Sequence, residues 1–524
     1  MGEKEVEQAT LSDGEAQKGT TGNGEVILGS GEVVNASGHR QELERNFSLL
    51  TMCAVAVVIG NCWAISGATI TLSIFNGGSP GVIYEFIASG LLYLCITASL
   101  AELASAIPSS AGVYHWASVT PGRRLGRPLG FFAGYWNSFA YAFGSASLSA
   151  SAGQAILEMW ALTHSDYEFE RWHVFVIYLV ITWASVALLL FGNRWLPAVN
   201  NVFMALGFVG WFVSIVAVAV LPKQGGRPYS SSDFVWREWQ NNTGYTKDGL
   251  VFVLGMLNGA FNIGTPDCST HMAEEVPRPS VNVPIAMGTQ MTAGLLTTVV
   301  YYIVLMYSIT DFEAVLNTSA QFPLAQIYYQ ASGSVAGAIG LTIVVLLPLL
   351  GSVMGSMLTA SRVFWTLARD NATPFSHTLG QVNRYWKNPF NAILLIGCFN
   401  TIMGLIYLGS DVAFKAMVGS FIVLTTLSYL AAILPFALRK RRGLAPGPFF
   451  LKGALGFVVS FMSCGFMLVW AVFYCFPYEL PVDAANMNYS SLIVGALTIL
   501  VGLWWFWVQS RYQGPPVILM GKES

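Results

Sequence analysis

Charged and hydrogen-bonding residues are scarce in the apolar part of this chain, and they gather in two stretches of similar make-up. The first reads Val57-Val58-Ile59-Gly60-Asn61-Cys62-Trp63-Ala64-Ile65-Ser66-Gly67-Ala68-Thr69. The second reads Gly255-Met256-Leu257-Asn258-Gly259-Ala260-Phe261-Asn262-Ile263-Gly264-Thr265-Pro266-Asp267. Both lie inside runs apolar enough to cross a bilayer, so their Gly and Pro residues interrupt a helix at membrane depth. Unwinding frees N–H and C=O groups where there is no water, which is tolerable only if they line a cavity or meet a ligand. Freed N–H groups around Ser66, Gly67 and Ala68, at the start of a half-helix, suit a carboxylate, and freed carbonyls suit a cation. Asp267 is the sharpest candidate. A charged, unpaired carboxylate near the midplane is expensive, so it is expected to be protonated, paired with a cationic substrate, or each in turn, which is the logic of proton coupling. The alternative is a structural carboxylate bridging the interruption.

Asn61, Ser66, Asn258, Asn262 and Thr265 are expected to line the site or to stabilise the interruptions, with Gly67 contacting substrate through its freed backbone. Trp63, Phe261, Tyr141 and Trp365, with Tyr135 and Trp136, offer ring faces. A trimethylammonium head donates no hydrogen bond and is held by such faces, each worth about 2 kcal/mol when desolvated. Close helix packing through the small residues is the competing reading. His164, Asp166, Glu168, Glu170 and His173 follow no metal-ligand spacing and read as a solvated connection. His271 and Glu274, one turn apart, are expected to cap the sixth span and face the cytosol. No nucleotide-binding loop and no nucleophile, base and metal set occur, so neither a cofactor nor an enzyme activity is expected.

The elements that must hold these residues are membrane spans. Of 524 residues 54% are hydrophobic and 10% charged, against roughly 25% charged in a soluble protein; mean hydropathy is +0.55. The 26 basic and 28 acidic residues include 13 within residues 1–46, four of them basic and nine acidic, so the remainder is poorer in charge still. A net charge of -2 offers no basic face for nucleic acid, and seven Cys are too few for a disulfide scaffold. Residues 1–46 read as a disordered cytosolic tail without a signal peptide. Helical spans of about 20 residues are predicted near 49–75, 81–106, 129–151, 173–191, 197–221, 249–271, 284–309, 334–366, 390–408, 412–438, 453–476 and 489–510. The predicted fold is therefore an all-α membrane protein with twelve transmembrane helices. With the N-terminus inside, 20 of the 26 Lys and Arg fall on the cytosolic side, which places both termini in the cytosol. Sequons at Asn241, Asn317 and Asn488 then fall in outer connections and are candidates for glycosylation.

Spans 1 and 6 are five apart. Paired interruptions at matched positions point to an inverted five-plus-five repeat with the substrate site at its midplane. Residues 47–438 would form that ten-helix core, 453–510 two additional helices, and 511–524 a short cytosolic tail.

Three further motifs carry a resemblance. Glu102-Leu103 with Pro108, Gly112, Tyr114 and Trp116, then Ala273-Glu274-Glu275-Val276 with Arg278-Pro279, Pro284 and Ala286, and then Ser361-Arg362, Thr366 and Ala368-Arg369-Asp370-Asn371 with Pro374, resemble the amino acid/polyamine/organocation (APC) transporters in order and place. The stretches Ala161-Leu162-Thr163-His164, Arg171-Trp172-His173, Asn242-Thr243-Gly244, Asp267 to Ala273 and Asn486-Met487-Asn488-Tyr489 resemble the fungal choline permease and GABA permease branch. The resemblance implies a plasma-membrane, proton-coupled importer of choline or a related small amine or amino acid. An amino-acid or GABA permease, a transporter of specialised metabolites or their precursors, and a transporter-like nutrient sensor are the alternatives. It also implies that Asp267 occupies the acidic position of helix 6, that Phe261 is a gating aromatic, and that Lys4 and Lys18 are candidate targets of ubiquitin ligase machinery. Glu85 on the second span departs from the pattern.

Overall fold

A computed structural model describes residue 43 and residues 45–515 except 165, 319, 411 and 485, together with three two-residue strands. The strands Gly19–Thr20, Val26–Ile27 and Val33–Val34 pair antiparallel. The rest of residues 1–42, with Lys4 and Lys18, and residues 516–524 lie outside the described residues.

The helices are α1 (Leu49–Ile59), α2 (Cys62–Ala68), α3 (Ile70–Ala106), α4 (Val113–Val119), α5 (Arg123–Ala161), α6 (Arg171–Phe191), α7 (Leu196–Gln224), α8 (Ser232–Trp236) and α9 (Asp248–Ile263), then a 3-10 helix (Cys268–Glu275). They continue with α10 (Pro279–Ser308), α11 (Phe312–Leu316), α12 (Leu324–Ser332), α13 (Val335–Arg369), α14 (Ser376–Leu379), α15 (Phe390–Gly409), α16 (Val412–Leu438), α17 (Gly453–Phe473) and α18 (Ser490–Val508). Eleven stretches are long and apolar enough to cross a membrane. The twelfth crossing, α5, is 39 residues long but rich in Gly, Ser and Ala. Its dilute hydropathy has a structural reason: α5 packs against α13 and α16, burying Asn137, Ser138, Tyr141, Ser145, Ser147, Ser149 and Ser151 against protein instead of lipid.

At the periphery the pattern inverts. Leu492, Ile499, Leu503, Phe506 and Trp507 of α18 are exposed, Trp507 by 76%, an apolar outer surface of the kind a bilayer covers. An even number of crossings brings the start of α1 and the end of α18 to the same end of the bundle. Arg127 of α5 marks this basic end, donating to the Gln509 carbonyl at 2.6 Å; the opposite is the far end.

Both interrupted spans are present, and the first differs in register from expectation. α1 stops at Ile59, Gly60 and Asn61 leave the helical region, and α2 starts at Cys62. Ser66, Gly67 and Ala68, expected at the interruption, instead lie inside α2. Gly67 is small because Leu324 and the Tyr301 hydroxyl stand 2.7 and 3.1 Å from where its Cβ would be; it serves packing. Gly60 is where the chain opens, because a Cβ there would overlap the Gln290 side chain of α10. Gly60→Ala is accordingly expected to destabilise the fold by about 1–3 kcal/mol, read as a lower thermal midpoint of the purified protein. The span continues to residue 77 and turns at Gly78, whose φ of 62° suits glycine, into the second crossing at 79–106. In the sixth span α9 stops at Ile263, and Gly264, Thr265, Pro266 and Asp267 lead into the 3-10 helix.

Candidate substrate site between the interrupted helices

Pro266 lacks an N–H and its ring excludes a continuous helix, so the carbonyls before it need partners from elsewhere. The Gln290 amide donates to Thr265, to the carbonyl and to Oγ1, at 2.9 Å each. The Tyr429 hydroxyl of α16 lies 3.2 Å from the Gly264 carbonyl. In the first span, Ser352 of α13 donates to the Val58 carbonyl at 2.8 Å. Gln290, also in contact range of the Cys268 thiol at 3.2 Å, thus spans both interruptions.

Asp267 begins the 3-10 helix and is wholly buried. Its Oδ1 accepts from the hydroxyls of Tyr141 at 2.6 Å and Tyr429 at 2.5 Å. Its Oδ2 accepts from the Asn137 amide at 2.9 Å and lies 3.2 Å from His271 Nε2. His271 Nδ1 is 2.9 Å from the Ser110 carbonyl, which can only accept, so Nδ1 carries a hydrogen. That assignment limits the pair. The Nε2 to Oδ2 contact then requires one further proton, on His271 as an imidazolium beside a carboxylate, or on Asp267 as an acid beside a neutral ring. Around them Tyr141 packs edge-on to His271 at 6.0 Å and to Phe421 at 6.3 Å, and Phe261 packs edge-on to Phe421 at 5.4 Å.

The expected residues therefore divide. Tyr141 and Phe261 gather at Asp267, with Thr265 held beside it through Gln290. Ser66, Asn258 and Asn262 form a second polar group further towards the far end. There Asn258 donates to Ser73 at 2.8 Å, Asn262 donates to Tyr302 at 3.3 Å and accepts from Thr69 at 3.1 Å. The Ser66 hydroxyl has no hydrogen-bond partner among the described residues. Trp63 faces α10, edge-on to Tyr301 at 5.3 Å, and Asn61 lies over Gly207 of α7, so both belong to helix contacts. Trp365 is removed from the site: its indole donates to the Gly380 carbonyl at 3.0 Å and the Arg369 guanidinium covers its ring at 4.3 Å. Tyr135 and Trp136 likewise turn away, to Ala372 and Thr498. Unexpected participants are Asn137, His271, Gln290, Phe421 and Tyr429. The spacing of Asn137 and Tyr141, and of Asp267 and His271, both four residues, was the available signal; Tyr429 sits in an apolar run with none.

His271 does not cap the sixth span but turns to Asp267, and Glu274 lies in a buried ion pair at the basic end. There the second and third motif segments meet in buried ion pairs, and the first joins them through a hydrogen bond. Glu274 binds Arg369 with both oxygens, at 2.9 and 3.2 Å, Glu275 lies 3.0 Å from Arg362, Glu102 pairs with Arg441 at 2.5 Å, and Tyr114 donates to Asp370 at 2.7 Å. Two of these tie the 3-10 helix of the sixth span to α13. At the far end, in contrast, a cavity of about 180 Å³ descends to Gly255 and Asn258.

Of the three sequons, Asn317 is exposed and Asn241 half-buried, each with its amide in a local hydrogen bond. Asn488 is 1% exposed, and its amide donates to the Tyr474 and Phe476 carbonyls at 2.7 and 2.9 Å.

Twelve crossings, two of them interrupted, with a buried acid between, define a multi-span membrane transporter. A family model described as amino acid permease matches residues 47–499, and the chain belongs to that family. Over 485 residues it is 32% identical to a choline transporter of Saccharomyces cerevisiae, covering 92% of this chain and 84% of the yeast protein. It is 28% identical to the transmembrane transporter swnT of Metarhizium robertsii, over 88% of this chain and 92% of that one. With the amino-acid permease BAT1 of Arabidopsis thaliana the identity is 27%, over 93% and 97%. The chain is a membrane transporter of amino acids or organocations, not an enzyme.

Proposed function

We infer that this transporter imports a small cationic amine of the choline type, coupled to protons, with its basic end in the cytosol and its far end outside, in the plasma membrane. The single observation that carries the coupling is the Asp267–His271 pair and its one shared proton. The pair takes up that proton together with the cation, the proton on His271 and the amine beside the Asp267 carboxylate; when both are released, Asp267 and a neutral His271 keep one negative charge. In a buried site either change is large on the scale of binding energies. Tyr141, Phe261 and Phe421 supply the ring faces that a methylated ammonium needs. The orientation rests on the basic residues crowding one end, and the choice of choline on the likeness to the yeast transporter. An inside-negative potential adds about 2.3 kcal/mol per 100 mV to entry of a monovalent cation.

Phe261→Leu separates a cation-selective site from a general one. Losing one desolvated ring face is worth about 2 kcal/mol, so the apparent KM for choline in a permease-deficient yeast is expected to rise about 30-fold. The KM for a neutral amino acid, if it is carried at all, should move by much less. Equal shifts for both would remove the aromatic cage from the account.

A further inference from the structure

Glu85 of α3 takes no part in the site above. It stands about 9 Å inside the second crossing, at 1.5 Å per residue from its start, and is 0% exposed. Neither carboxyl oxygen has a hydrogen-bond partner among the described residues. Its neighbours explain how it fits there. Gly255 and Gly259 of α9 lie one turn apart and receive Glu85 and Ser89 of α3: a Cβ on Gly255 would overlap both Glu85 oxygens, and one on Gly259 would stand 2.7 Å from the Ser89 hydroxyl. Gly255 is also wall of the far-end cavity. Gly255 thus borders both the Glu85 carboxyl and a space large enough for several water molecules. One turn deeper on the same wall, Asn258 Oδ1 is also without a hydrogen-bond partner.

A buried acid with no partner is costly to ionise, and a cavity behind a glycine gives it a route for exchange. Among the described residues no positive side chain pairs with it. Facing it from α10 is the neutral phenol of Tyr302; α17 carries no charged residue; Lys415 of α16 lies across the cavity over the Tyr478 ring at 5.6 Å, with Glu479 beside it. Asp233 of α8, Asp248 of α9 and Glu313 of α11 are at the exposed far-end surface. We propose that Glu85 is a second proton-binding site of this transporter, loaded from the far-end cavity past Gly255 and acting on the packing of α3 against α9. Its ligand is a proton and not a metal cation, because no group of three or more His, Cys, Asp or Glu side chains gathers there among the described residues.

The proposal does not rest on the reading of Asp267, and it is tested without transport. Infrared difference spectra of the full protein in nanodiscs, between acid and alkaline buffer, are compared for the native chain and Glu85→Gln, an isosteric change that preserves the α3–α9 contact. The expected result is a neutral-carboxylic-acid carbonyl band in acid that is lost in alkali and missing altogether from Glu85→Gln. A Glu85 band that persists unchanged in alkali would make the residue a permanently neutral packing acid. A difference spectrum identical in the two proteins would likewise overturn the proposal. Asp267→Asn should leave the Glu85 band in place, so failure of the coupling reading and failure of this one are told apart.

Discussion

Asp267→Asn is expected to lower substrate uptake at least about 100-fold, equivalent to about 2.7 kcal/mol, with the protein present at normal levels in the membrane. The variant keeps the shape and most of the bonding. Asn retains one oxygen for the hydroxyls of Tyr141 and Tyr429, which bind Oδ1. Its amide nitrogen then takes the place of Oδ2, facing His271 and Asn137. His271 with its Nδ1 hydrogen on Ser110 offers Nε2 as an acceptor. Asn137 can turn its amide over, because its Oδ1 has no hydrogen-bond partner to lose. What disappears is the charge and the shared proton, so a loss of transport in a folded protein isolates their role. Near-normal uptake by Asp267→Asn would reduce the carboxylate to a structural bridge.

Glu274→Gln is expected to open the basic end. Glu274 and Arg369 are almost fully buried, with side chains 3% and 8% exposed. Removing one partner of such a pair leaves an uncompensated charge, at a cost of about 3–5 kcal/mol. In a transporter that cost falls on the closed conformation, because opening hydrates the remaining guanidinium. At 1.4 kcal/mol per decade the open population should rise by about 10² to 4 × 10³. Cys268, buried beside Asp267, reports this in a background with the other six cysteines replaced. Its reaction with a thiol reagent applied at the basic end should accelerate strongly in Glu274→Gln. Exchanging the charges, Glu274→Arg with Arg369→Glu, should restore part of the protection. Unaltered reactivity in Glu274→Gln would mean that the pair holds the fold and not the gate.

Much of the architecture was legible because it depends on local chemistry. Apolar runs of membrane length mark the crossings whatever they pack against, and α5 was found as a run despite its thin hydropathy. Gly264, Thr265 and Pro266 break the sixth span through their own backbone properties, and an acid within it stands out against lipid. Register inside the first span was not legible. Gly60 and Gly67 look alike in sequence, and what distinguishes them is Gln290 crossing one and Leu324 the other, both more than 200 residues away. The motif acids and bases were recognised as a pattern, while their reason, the meeting of Glu274 with Arg369 and Glu275 with Arg362, is a tertiary fact.

Side-chain direction was the other unknown. Trp63 and Trp365 have the chemistry of a cation cage and point elsewhere. Tyr429 and Phe421, unremarked in the apolar run of α16, point inwards because that helix packs against α5 and α9. His271, one turn from Glu274 at the end of the sixth span, has the sequence position of a cap. The 3-10 winding of the segment instead turns it back on Asp267.

The most direct test of proton coupling at Asp267 is proton entry driven by substrate. Purified protein is reconstituted in liposomes holding a pH-sensitive dye, at zero membrane potential, and choline is added outside. The account predicts acidification of the lumen that depends on choline, saturates with it and is absent from Asp267→Asn. Choline accumulation with no change of internal pH would contradict it.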